Sequence, residues 1–408
     1  MMKSLFKTIF LIFAVSYWAM SASAQAAEGQ PFTIKGNIKG IKNGTKVSLR
    51  CRESGKYIEA QCLSQGSSFV LKGQVAGTML VELSIDDKPQ AAYGENDYAE
   101  SRGGKFLLEA ADYTVSAACF DSIPRNYDLD AVPMVHEKNL KIVGGKAQQQ
   151  YQEWQDASYE TRLNYKLLDF QLRNAKFRSR REDGPDTIAV NRLRPLVDEA
   201  MDKAKVVEDQ FVAEHSDYAI SLLIKSKELA NPFAMTNAEY DAMLAAFANN
   251  YDKSRYEDFV KSVNEMKKYL KGSHFKDLAV ETVEGKSANL KDIVMPDKYN
   301  FLDFWASWCG PCRAAIPSVK KLHEKLGDKL NIVSISVDKK RADWEKAMAE
   351  EKMPWQQYLV PQSSMKALKD AYFLQFVPSL VVIDPSGHIV LFTSNPDEAH
   401  RYLEQKQN

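Results

Sequence analysis

The chain has 408 residues, enough for two or three domains that each bury a core. Lys plus Arg and Asp plus Glu both number 54, with no long single-sign run, a balance that argues against a nucleic-acid partner. The hydrophobic fraction, 45%, is that of an ordinary globular protein.

In chain order, residues 1–24 read as a signal peptide. Lys3 and Lys7 precede an apolar stretch from Ile9 to Trp18, and Ala22-Ser23-Ala24 has the small residues a signal peptidase cuts after. An uncleaved anchor is the alternative, although the apolar stretch is short for a membrane span. No cysteine follows it, so a lipidated N-terminus is not indicated, and nothing later is apolar for long enough to cross a bilayer. The mature chain is expected outside the cytosol, in the periplasm or beyond. All five cysteines (Cys51, Cys62, Cys119, Cys309 and Cys312) follow the cleavage site. An odd number argues against a disulfide-stapled scaffold.

Residues 30–145 read as an antiparallel β domain. Phe32, Ile34 and Ile38, then Val47, Leu49 and Cys51, then Val81, Leu83 and Ile85 are spaced by twos, with the turn signals "KNGT", "ESGK", "QGSS" and "SRGG" between runs. Cys51, Cys62 and Cys119 are expected inward as small core residues. With Ser54-Gly55 as a two-residue turn, Cys51 pairs with Ile58 and Cys62 with Val47. A Cys51–Cys62 disulfide would need another register.

Residues 146–271 change to a period of 3.6 and read as a helical segment. Leu163, Leu167, Phe170 and Phe177 form one stripe. Leu193, Val197, Ala200, Ala204, Val207 and Phe211 form a second, and Tyr256, Phe259, Val263, Met266 and Leu270 a third. Gly184-Pro185 breaks the first two helices, and "ANPFAMTNAEY" a later pair. The basic cluster "KFRSRRE" suits a solvated helix C-terminus.

Residues 272–408 alternate strand and helix, which predicts an α/β sheet covered on both faces. Strands are expected at 278–283, 298–305, 330–337, 379–384 and 388–393, and helices at 311–326, 341–352, 363–372 and 396–405. The expected architecture is therefore multidomain: an antiparallel β domain, a helical middle and a C-terminal α/β domain.

The chemistry concentrates in "FLDFWASWCGPCRAAIP" (301–317), where a strand ends and a helix starts. Cysteines at i and i+3 opening a helix can close a small disulfide ring. Cys309 falls at the cap and Pro311 in the first turn, where a missing N–H costs nothing. The unpaired N–H groups and the helix dipole favour a thiolate on Cys309, so its pKa should fall below that of an ordinary thiol. Cys309 would attack a disulfide, and Cys312, one turn deeper, would attack the mixed disulfide and release the product. A structural zinc site needs four ligands, and no second C-x-x-C or His pair lies nearby; His323 is the closest histidine. No metal is expected.

"DFWASWCGPCR…P" followed by "FVPSLVVID…G" resembles the thioredoxin superfamily, in particular its exported TlpA/ResA-like branch, over residues 272–408. The resemblance implies a central sheet with flanking helices, no cofactor, and the cysteine motif at a helix N-terminus. Trp308 matches the tryptophan before the motif, Pro317 the proline that kinks the helix, and Pro378 the cis-proline facing the cysteines. Val377 matches the residue whose backbone pairs with a bound substrate chain. Asp303 matches the buried acid; in that apolar strand its pKa should rise, and it could take the proton of Cys312. Ala315 departs from the Glu that many members of the branch carry there, so no role of that Glu is transferred. "FTIKGNIKGIKNGTKVSLR", "GSSFVLKGQV" and "LKIVGGKAQQQYQEW" resemble a β domain of unknown function that precedes such domains in exported bacterial proteins.

The expected activity is thiol–disulfide exchange with disulfide-bearing protein substrates. Gly310-Pro311 between the cysteines favours a reductase, for which the resemblance implies a membrane protein as electron donor. A disulfide isomerase is the alternative, as is a partner-binding module with a redox-sensing domain. Copper delivery would want a C-x-x-x-C, and a peroxidase a Pro-x-x-x-Thr-x-x-Cys; neither is present.

Overall fold

Alternation of apolar and polar residues sets up the first eight strands, and the computed structural model of the chain describes residues 29–51, 53, 57–93, 100–126, 132–177, 186–229 and 231–407. The expected signal peptide, the Ser54-Gly55 turn, the Gly184-Pro185 break and most of the basic cluster lie outside the described residues. The chain divides into two compact units, one of residues up to Leu222 with Asn250–Arg255, the other of Leu223–Asn249 with Tyr256–Asn408.

In the first unit β1 (Gln30–Asn37), β2 (Thr45–Cys51), β3 (Glu59–Leu63), β4 (Ser68–Val75), β5 (Met79–Pro89), β6 (Ser101–Leu108), β7 (Asp112–Ser116) and β8 (Lys141–Val143) form two four-stranded sheets. Their orders are β4-β1-β7-β8 and β3-β2-β5-β6. Ile34, Leu71 and Val115 from the first sheet and Val47, Leu49, Leu83 and Phe106 from the second share one buried core. The pairs are antiparallel except β1 with β7, which run parallel.

The Cys51 N–H donates to the Ile58 carbonyl, and Cys62 stands opposite Val47. This is the register expected from the sequence, and Cys51, Cys62 and Cys119 are not disulfide-bonded. Cys51 and Cys62 are half-buried against the core. Cys119 instead follows the end of β7 and caps a short 3-10 turn with Ser122. "SRGG" is not a turn but the start of β6. A Cβ on Gly103 would collide with the Leu83 carbonyl, so the glycine serves close strand approach rather than reversal.

Helices α1 (Lys146–Phe177) and α2 (Thr187–Glu214) follow. Gln148 anchors the first turn of α1 to the sheets, its Oε1 accepting from the Leu107 N–H and its Nε2 donating to the Ile142 carbonyl. The stripe of α2 is as expected, with Leu193, Val197, Ala200 and Phe211 buried. That of α1 is not. Its apolar contacts with α2 come from Tyr165, Leu168, Leu172 and Ala175, while Leu167 stays exposed. Apolar residues occur on two faces of α1, and only packing decides between them.

One buried and one half-buried carboxylate of this unit meet one guanidinium. Arg255 donates to both oxygens of Glu53 at 2.7 and 2.9 Å and to the Thr78 hydroxyl and carbonyl at 2.9 and 2.8 Å. Asp252 accepts from the backbone N–H groups of Arg255 and Thr78. Removing the cation would leave the buried Asp252 and the half-buried Glu53 without their counter-charge. Arg255→Met should therefore destabilise the protein by about 3 kcal/mol, read as a lower urea midpoint at unchanged slope.

In the second unit α3 (Ala219–Glu228), which the division crosses, leads to α4 (Asn237–Phe247). A reciprocal cap between Thr236 and Glu239 starts α4. Helix α5 (Lys253–Met266) then buries Phe259, Val263 and Met266. Its continuation packs on the α/β residues, where Tyr269 donates to the Asp370 carbonyl and its ring lies tilted against Phe373, centroids 5.2 Å apart.

The seven-stranded sheet contains β9 (Ala279–Glu281), β10 (Ser287–Asn289), β11 (Tyr299–Trp305), β12 (Leu330–Ser336), β13 (Gln356–Leu359), β14 (Ser379–Ile383) and β15 (Ile389–Thr393). Its order is β10-β9-β13-β12-β11-β14-β15. The helices are α6 (Leu290–Ile293), α7 (Gly310–Leu326), α8 (Arg341–Glu351), α9 (Met365–Tyr372) and α10 (Pro396–Gln407). All five expected strands and all four expected helices are present. Strands β10 and β13 were not anticipated, because "SAN" and "QQYL" carry no run of alternating apolar residues.

Candidate active site

The site lies at the carboxyl end of β11, where the chain leaves the sheet and starts α7. Tyr299–Trp305 is almost wholly buried, as a central strand between β12 and β14 must be. Its last residue passes into Ala306-Ser307-Trp308, and Cys309 is the N-cap of α7. Cys309 and Cys312 form a disulfide with their Cα atoms 5.3 Å apart. The Cys312 N–H donates to Cys309 Sγ at 3.1 Å. A sulfur at this cap receives a donor that the helix itself cannot satisfy, and the positive end of the dipole favours negative charge there.

Three groups fix the sulfurs from different sides. Across the site the Val377–Pro378 peptide is cis, and the Val377 carbonyl oxygen lies 3.6 Å from Cys309 Sγ. Trp305, Trp344 and Leu359 pack beneath the cysteines as part of one buried cluster. Asp338, just beyond β12, braces the approach loop: it accepts from the Ser307 N–H at 2.9 Å and from the Ser307 and Ser336 hydroxyls at 2.7 Å each. Both cysteines are buried, at 4% and 3% exposure, whereas Trp308 is 71% and Phe376 50% exposed. The rim beside the reactive sulfur is therefore aromatic and uncovered.

Asp303 shares a face of β11 with Phe301 and Trp305, which pack respectively with Ile316 and Cys312 of α7. Asp303 thus stands on the α7 side of the sheet. Ser334, its neighbour on β12, donates to Asp303 Oδ2 at 2.9 Å. Burial pushes the carboxyl up to about 6, against the smaller opposing effect of that hydrogen bond.

Cys309, Cys312, Trp308, Val377 and Pro378 thus come together around one helix end, and Asp303 lies on the α7 side of the strand that leads into it. Asp338, Ser334 and Trp355 were not anticipated. A signal for Asp338 exists, since an acid immediately after the apolar strand "NIVSISVD" must find donors if it is buried. Among the described residues, no group of three or more His, Cys, Asp or Glu could hold a metal ion, and no helix is long and apolar enough to cross a membrane.

Comparison with known proteins agrees with this geometry. Residues 297–389 match the family model described as thioredoxin-like. A thioredoxin from Rhodospirillum rubrum is 44% identical over 48 residues, 12% of this chain and 46% of that protein. The thiol-disulfide oxidoreductase ResA of Oceanobacillus iheyensis is 29% identical over 110 residues, 27% of this chain and 55% of that protein. The thioredoxin domain of a thiol-disulfide oxidoreductase from Bacteroides vulgatus is 29% identical, covers 34% of this chain and 97% of that domain, and superposes with a TM-score of 0.32. The chain spans about half or less of the length of the first curated relatives it matches. Over residues 297–389 the C-terminal domain is thioredoxin-like.

The buried acid has a consequence for stability. With its pKa raised from 3.8 to about 6 in the folded state, Asp303 binds its proton more tightly folded than unfolded. Stability is then greatest below about pH 4 as far as this group is concerned, and is lost as pH rises through 6. Asp303→Asn should stabilise the oxidised protein at pH 8 by on the order of 2–3 kcal/mol, a gain that vanishes near pH 3. Urea unfolding at the two pH values measures it.

Proposed function

We propose that the protein is an exported thiol–disulfide oxidoreductase that reduces disulfides in protein substrates through Cys309 and Cys312. The observation that carries the reading is the cysteine pair at the start of α7, with the Cys309 sulfur beside the Val377 carbonyl and the cis-Pro378 peptide. In the reduced protein the Cys309 thiolate attacks a substrate disulfide, forming a mixed disulfide and expelling the first substrate thiolate. Cys312 then gives its proton to Asp303 and attacks Cys309 Sγ. The second substrate thiolate leaves, and two electrons have passed to the substrate as the Cys309–Cys312 disulfide forms.

Trp308, Val377 and Pro378 hold the substrate in this reading. Trp308 offers an exposed aromatic face, and the backbone at Val377 offers hydrogen-bonding groups to an extended segment around the substrate cysteine. The reducing direction rests on Gly310-Pro311 between the cysteines, and export on the residues before Gln25. A reductase outside the cytosol needs electrons from a membrane donor, which would meet Cys309 in the same way as the substrate.

Cys312→Ala should accumulate a mixed disulfide with substrate that thiol reagents release, and Cys309→Ala should form none and abolish turnover; non-reducing gels and disulfide-reduction assays read both. The reduction potential of the pair, from alkylation in defined redox buffers, tests direction. A value near roughly −270 mV supports a reductase, and one above about −180 mV overturns it in favour of isomerisation or oxidation.

A further inference from the structure

The polar contacts of Asp303 continue past Ser334. On β12, Ser334 sits directly between Asp303 of β11 and Gln357 of β13. Its Oγ accepts from the Trp355 indole Nε1–H at 2.8 Å and donates to Asp303 Oδ2 at 2.9 Å. Ser334 is wholly buried and Trp355 is 9% exposed, so solvent does not compete for these bonds. A hydroxyl has one proton. Because the indole is a donor only, it takes a lone pair of Ser334 and leaves that proton committed to the carboxylate. The chain of bonds is therefore polar in one sense, from indole to hydroxyl to acid.

We infer that Ser334, oriented by Trp355, is a positioning residue for the proton step: it occupies Oδ2 of Asp303 and leaves Oδ1 as the oxygen that receives the proton of Cys312. The inference rests on the reading of Asp303 as the acceptor. It adds what holds and tunes that acceptor.

The bond favours the ionised acid, opposing the burial that raises it to about 6. No nearby charge contributes to that balance. β12 presents Ser334, β14 presents Leu380 and β13 presents Gln357, none of which titrates. From α7, Cys312 packs with Trp305 in the adjoining cluster, and His323 stands against the Trp355 ring at 5.7 Å. With no opposing charge to mask it, loss of the Ser334 bond should reach Asp303 directly.

The test uses the full-length protein and two readouts. In the oxidised form the cysteines do not titrate, so the 13C shift of the Asp303 carboxyl reports that group alone. In the reduced form, the pH dependence of release from a Cys309 mixed disulfide with a model peptide reports the proton step. Ser334→Ala should raise the Asp303 titration by roughly one pH unit, the scale of a hydrogen bond to a charged group. Release at pH 6 should slow by about fivefold, the fall in ionised acid that such a shift implies, and converge with the parent above pH 8. Ser334→Thr, which keeps the hydroxyl, should restore both, and Trp355→Phe should move both in the direction of Ser334→Ala but less far. Ser334→Ala decides the matter whatever the tryptophan variant does. If it leaves both readouts unmoved while Asp303→Asn flattens the release profile, the positioning role is overturned and the acid keeps its part. If Asp303→Asn leaves the release profile unchanged, the acid is not the acceptor, and the inference falls with that reading.

Discussion

The first turn of α7 has N–H groups that no helix carbonyl can reach, and the chemistry of this domain depends on what is placed there. Cys309 is the cap, and its sulfur takes the Cys312 N–H. A reduced sulfur in that position is stabilised as a thiolate by the donor and by the helix dipole together. The rest of the site serves that placement. β11 sets where the helix begins, Asp338 holds the connecting loop through Ser307, and the Val377 carbonyl limits the sulfur from the opposite side.

Such a site sets two requirements against each other. The thiolate at Cys309 needs donors near the surface, whereas deprotonation of Cys312 needs a base deep enough to keep its proton affinity near neutrality. In the proposed mechanism Asp303 meets the second at the expense of stability, because its ionised form stands in an apolar layer between Phe301 and Trp305. Ser334 moderates that cost without removing it. A second hydrogen-bond donor on the carboxylate would stabilise the fold further, but it would also weaken the base. In the proposed mechanism the one bond from Ser334 is a compromise between the two.

Much of this was legible in the sequence, and the parts that were not share a cause. The elements of the α/β domain follow from periodicity and turn residues, because buried parallel strands read as continuous apolar runs and α7 shows both its cap and its proline. Cys309, Cys312, Asp303 and Pro378 were singled out from spacing and resemblance together. What was missed depends on partners distant in sequence. Strand β13 is "QQYL" and declares itself only once β12 is beside it. Gly103 and Gly104 look like a turn until Leu83 comes near. Helix α1 carries apolar residues on two faces, and the packing of α2 alone selects Leu168 and Leu172 over Leu163 and Leu167. Ser334 and Trp355 look like ordinary strand and loop residues until β12 is set beside Asp303.

The other cysteines show how selective the arrangement is. Cys62 sits in a strand, half-buried, and burial pushes its thiol up rather than down. The register that puts it opposite Val47 keeps it out of line with Cys51, so the two thiols share a hairpin without pairing. Cys119 stands at the start of a short turn, where its backbone N–H and carbonyl bond the Ser122 hydroxyl. None of the three is a cap of a long helix, and none is disulfide-bonded. Redox specificity within the chain thus follows from backbone geometry. A thiol becomes a nucleophile where unpaired N–H groups converge on it, and it stays a small apolar side chain where a sheet covers it.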